Sequence, residues 1–174
     1  MSNHLSLVNQ KLGFATAILF LADNASDATA GQQFQRQAAY ESSLLHLYTA
    51  FHFYLRELAE NNGIKNPETI NSLGELSSSL HELGKCPSEV VELQELENRE
   101  GSWLRDVLRY HLQVFKSPPK KIEKKAFGAE NFIEVVDLTQ VEPVHTALNS
   151  ELLKNWIGEF KTMVLRQRQT GAEY

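Results

Sequence analysis

Between residues 33 and 62 apolar side chains recur at Tyr40, Leu44, Leu47, Phe51, Tyr54 and Leu58, in steps of four, three, four, three and four. Strands need a period of two, so this spacing predicts a helix. A second row, Phe34, Ala38, Leu45, Tyr48 and Leu55, runs beside the first. The two rows make an apolar face wider than a surface helix uses, which predicts a helix in the middle of a bundle. The remaining segments then have one task, to cover it.

Four further helices are expected. The first spans residues 2–24, with the stripe Leu5, Val8, Leu12, Ala15, Leu19 and Ala22. The third begins at an Asn66 cap with Pro67 in its first turn and ends at Gly84. The fourth follows Pro87 and keeps its stripe in phase from Leu96 to Trp103, so we expect one helix kinked or interrupted at Gly101-Ser102. The fifth carries Val144, Leu148, Leu152, Trp156, Phe160 and Met163, behind the capping-box pattern Thr139-x-x-Glu142 and Pro143. Residues 117–131 read as a loop, and residues 132–138 as an extended segment lying on the bundle. The expected fold is all-α: one domain over residues 1–174, a bundle of about five helices with helix two central and helices one, four and five against it.

At 174 residues with 42% hydrophobic and 22% charged side chains, the chain has the composition of a globular domain with one core. A net charge of -5 argues against broad electrostatic binding to nucleic acid. Cys86 is the single cysteine, which excludes an internal disulfide and a cysteine-rich zinc site. We expect a cytoplasmic protein. The alternative is export: the apolar run at residues 12–22 precedes Ala28-Thr29-Ala30, an A-x-A pattern that would make residues 1–30 a signal peptide. The stripe that continues back to Leu5 favours a helix of the fold. The run itself falls short of the ~20 apolar residues a bilayer takes.

Candidate chemistry is sparse. Phosphate-binding glycine loops and the G-x-S-x-G elbow are absent, and no cofactor is implied. Glu142-x-x-His145 is half of a di-iron motif with no second half, and His46 and His52 stand six apart, outside the zinc spacing. A metal-bound bundle would need folding to gather His46, His52, His111 and carboxylates. Cys86, after Lys85 and before a helix start, has two neighbours that favour a thiolate and no evident base. Lys116, Lys120, Lys121, Lys124 and Lys125 form the densest basic patch, a candidate interaction patch.

The remaining candidate is Arg105-Asp106-x-x-x-x-His111. Histidine can shuttle a proton while arginine holds a scissile phosphate. This pattern resembles the R-x4-6-H motif of HEPN ribonucleases, as Ala39-Tyr40 and residues 46–52, HLYTAFH, resemble their early helix. That resemblance implies a helical, dimerising, metal-independent ribonuclease with Arg105, Asp106 and His111 as catalytic residues. The whole chain also resembles a small bacterial family of uncharacterised helical proteins, through residues 42–60 (SSLLHLYTAFHFYLRELAE), 92–97 (ELQELE) and Ser102-Trp103-Leu104. That resemblance implies a helical fold and no activity. The leading functional expectation is a non-enzymatic module acting through an unknown protein partner or as a homodimer, with nucleic acid a partner only on the HEPN-like alternative.

Overall fold

The computed structural model describes residues 3–25, 29–116 and 147–171. Its elements are helices throughout: α1 (Asn3–Asp23), α2 (Ala30–Asn61), a single 3-10 turn (Pro67–Thr69), α3 (Leu73–Glu82), α4 (Ser88–Asn98), α5 (Trp103–Val114) and α6 (Ser150–Gly171). One continuous apolar core runs from Val8 of α1 to Val164 of α6. The loop expected at 117–131, the extended segment at 132–138 and the capping pattern at Thr139 lie outside the described residues.

The central helix is where the periodicity places it. Leu44, Leu47, Phe51, Tyr54 and Leu58 are all buried, and α2 touches α1, α3, α5 and α6. Its second row behaves differently. Leu55 is buried and Tyr48 half-buried, but Phe34, Ala38 and Leu45 face solvent. The first turns of α2 therefore run beyond the packed part of the bundle. They start three residues before the expected position because Thr29 and Gln32 form a reciprocal capping box.

Helix three is shorter than expected. Pro67 opens only the 3-10 turn; buried Ile70 follows, and α3 proper starts after Ser72, whose hydroxyl accepts from the Glu75 amide. Its end matches: Gly84 has φ +68°, and the amides of Gly84 and Lys85 close back on the carbonyls of His81 and Leu80. The expected fourth helix is fully interrupted. Arg99 is extended and Gly101 has φ +73°, after which the Ser102 hydroxyl caps α5 and also donates to the Leu96 carbonyl. The phase survives the break, with both Leu96 and Trp103 buried. Of the two pieces, α5 packs on α2, whereas α4 packs on α3 and α5. The last helix begins at Ser150, later than its stripe suggests, because the Asn149 side chain caps it by accepting from the Leu152 amide at 3.0 Å.

Candidate interaction surface

Side-chain hydrogen bonds fix the helices that carry this surface. Glu57 of α2 is 2% exposed and receives a two-pronged hydrogen bond from Arg168 of α6, at 2.8 and 2.7 Å. The same guanidinium donates to Asn9 of α1 at 3.0 Å. Next to it, Tyr54 donates to Gln167, and Gln167 donates to Glu92 of α4 at 2.7 Å. Burial alone would raise the Glu92 pKa, but hydrogen bonds from Arg166 and Gln167 outweigh it and hold the carboxyl below its ordinary value. In the first turn of α1, buried His4 reaches Glu60 through Nδ1 and Glu68 through Nε2, both at 2.9 Å. Both ring nitrogens donate only when the imidazole is protonated. Burial opposes that charge, yet the two carboxylates prevail and raise the His4 pKa.

Among the described residues α1 is held mainly by one side, with Phe14 of the other side also meeting the His46 ring of α2. Val8, Leu12, Ala15, Leu19 and Ala22 enter the core. On the opposite side Gln10, Gly13, Phe14, Ala17, Phe20, Leu21 and Asn24 are all exposed. At 100° per residue these seven positions fall within an arc of ~120°. Phe14 is 44%, Phe20 66% and Leu21 68% exposed, and the arc carries no charge. Apolar residues on both sides make residues 4–23 long and apolar enough to cross a membrane by length and composition, which corrects the expectation drawn from the shorter run. Only 28% of that stretch is buried inside the fold.

Beside Gly13, the seam between α1 and α6 opens into a cavity of about 280 Å³. Leu12, Val164 and Leu165 make it apolar, and Asn9, Lys161 and Arg168 line it with polar groups. Leu165 is itself 60% exposed. A larger open groove of about 510 Å³ lies between α4 and α6, over Trp103 and Met163, with Arg99, Lys154 and Arg166 among its lining residues. Two of those cations already have partners, Lys154 on Asp23 and Arg166 on Glu92.

The structure gives Arg105, Asp106 and His111 separate partners. The Arg105 guanidinium donates to the Asn98 carbonyl at 2.9 Å, closing the C-terminal end of α4. Asp106 pairs with Arg109 at 2.8 Å. His111 stacks flat on Tyr48 of α2, ring centroids 3.5 Å apart, with Phe115 against its edge. Tyr48 also packs on His52. Burial lowers the pKa of His111; burial, with Arg56 and His111 nearby, lowers that of His52. His46 lies apart from both, against Phe14. Among the described residues no group of three or more His, Cys, Asp or Glu side chains is placed to hold a metal. Lys116 is exposed just past α5, and Cys86 is exposed between α3 and α4. Lys120, Lys121, Lys124, Lys125, Glu142 and His145 lie outside the described residues.

Sequence reasoning missed the His4 and Glu57 clusters because their contacts join residues 56 to 159 positions apart in the chain. It also missed the outer face of α1, although Phe14, Ala17 and Leu21 stand at helical spacing in plain view. Attention to the stripe that enters the core hid the one that does not.

A family model described as a family of unknown function, DUF6586, matches residues 1–174. The chain belongs to DUF6586. Comparison with curated proteins and with solved structures found no match. Membership in DUF6586 agrees with the resemblance to an uncharacterised helical family and assigns no activity, so function has to be argued from the surface itself.

Proposed function

We propose that the protein is a cytoplasmic, non-enzymatic interaction module whose docking face is the outer side of α1. The observation that carries this reading is a rigidly held helix with one apolar side in the core and a second, uncharged apolar side exposed. Exposed aromatic and leucine side chains gathered on one face mark contact sites, whereas single exposed apolar residues do not. The scaffold supports the same reading, because a helix tied to α2 by the His4–Glu60 pair and to α6 by hydrogen bonds from Arg168 to Asn9 and from Lys161 to Thr16 presents its outer face with little ordering cost on binding.

The test is a photo-crosslinking phenylalanine analogue placed at Leu21 in living cells, beside a control with the analogue at exposed Glu159. A discrete protein adduct from position 21 and none from position 159 is the expected result. No protein adduct at position 21 overturns the docking face. Degradation of a mixed RNA pool by the purified protein, lost in both Arg105→Ala and His111→Ala with helicity intact, would replace the module by the ribonuclease alternative.

A further inference from the structure

We infer that the partner of this face is a second copy of the same chain, packed antiparallel, α1 against α1, about a two-fold axis at Ala17. The inference rests on the docking role proposed for α1 and names its occupant.

The arc is self-complementary. In an antiparallel pair related by a two-fold axis through Ala17, positions whose numbers sum to about 34 face each other, and each flank meets the same flank of its partner. Phe14 and Leu21 lie on one flank, Gly13 and Phe20 on the other. Leu21 therefore meets Phe14 of the partner subunit, and Phe20 meets Gly13 of the partner subunit. Ala17 meets its own copy, which lets the two helices approach closely. Gln10 and Asn24 face one another at the ends, where their amides can hydrogen-bond. Every contact occurs twice, as an isologous interface requires.

The hole that Phe20 needs is present. A Cβ built on Gly13 meets nothing within 4 Å. That open space continues into the cavity of about 280 Å³, where Leu12, Val164 and Leu165 supply the apolar wall and Asn9, Lys161 and Arg168 the polar one. Phe20, 66% exposed, lies on the same flank as Gly13, seven residues along the helix and too far to fill the cavity of its own subunit. The two-fold operation brings each phenylalanine to the other subunit's cavity. A lipid surface would use the apolar face too, but it supplies no reason for a hole matched to a side chain on the same arc.

Area is sufficient. At roughly 150–250 Å² for a whole large side chain, the exposed parts of Phe14, Phe20, Leu21 and Leu165 amount to about 450 Å² per subunit and about 900 Å² for the pair. Gln10, Gly13, Ala17, Asn24 and the cavity rim bring this to the ~1,200 Å² at which stable interfaces begin. A dimer of moderate affinity follows, one whose population depends on concentration.

The test is sedimentation equilibrium on the full chain over a range of concentrations, with three variants. Wild type is expected to move from 19.7 kDa toward twice that mass as concentration rises. Phe20→Glu and Gly13→Leu are both expected to raise the dissociation constant by at least about 30-fold. Gly13→Leu is the sharper of the two, since it fills the hole from a position whose added Cβ meets no neighbour and a helical leucine favours the monomer fold over glycine. Exchanging knob and hole in Gly13→Phe with Phe20→Ala is expected to recover most of the lost affinity. A wild type that stays at 19.7 kDa throughout, or a dimer indifferent to all three changes, overturns the inference. So does a monomer that binds anionic lipid vesicles through Phe20. An adduct at Leu21 with a different protein, together with a monomeric mass, overturns the dimer while leaving the docking face standing; absence of any protein adduct removes both.

Discussion

His4 shows how far tertiary contacts set the surroundings of a single residue. It sits in the first turn of α1, where a histidine looks solvent-bound, yet it is buried and clamped between Glu60 and Glu68. Arg56 pairs with Glu68 at 3.1 Å and completes the group of charges around it. The His4 pKa is raised in the folded protein, while the unfolded value stays near the ordinary ~6.5. Its contribution to stability is therefore complete below about pH 6.5 and is lost as pH rises through the folded value. His46, His52 and His111 have lowered values and act in the opposite sense, so the total profile hides the effect. The difference in melting temperature between wild type and His4→Ala isolates it. That difference should shrink as pH rises above about 6.5; a constant difference would mean that the imidazole serves only by packing.

At the scale of elements, local signals set the ends of helices well when the end is chemical and poorly when it is tertiary. Gly84, Thr29 with Gln32, and Ser102 each act through their own backbone or neighbouring amides, and each is visible within a few residues. The delayed start of α3 is different, since nothing near Pro67 announces that the chain must first bury Ile70. Two glycines test the distinction. Gly101 holds φ +73° at the break between α4 and α5, so Gly101→Ala should destabilise by about 1–2 kcal/mol. Gly158 is helical, exposed and open around a built Cβ, so Gly158→Ala should stabilise by about 0.5–1 kcal/mol. Urea denaturation of both variants checks the signs, which should be opposite.

The whole molecule is held by apolar burial and oriented by a few long-range polar contacts. Arg168 is the main one, joining α6 to Glu57 on α2 and to Asn9 on α1. Removing it leaves a buried, unpaired carboxylate, so Arg168→Ala should cost about 3–5 kcal/mol by urea denaturation. Glu57→Leu with Arg168→Leu should recover most of that loss, because the desolvation cost disappears together with the attraction. A double variant as unstable as the single one would show that the pair contributes more than its mutual compensation.

The all-helical fold, the central place of α2, and the break at Gly101-Ser102 were legible in the chain, because hydrophobic period and turn chemistry act between residues close in sequence. The family resemblance was legible too, and the family is now shown. What the candidate motif would do was not. Arg105, Asp106 and His111 stand within seven positions, yet one closes a helix end, one pairs with Arg109, and one stacks on Tyr48. Only packing decided which way each side chain faces. Packing alone also decided that one apolar side of α1 enters the core while the other stays outside. The sequence carries both stripes with equal weight, and only the placement of α2 and α6 around that helix distinguishes them.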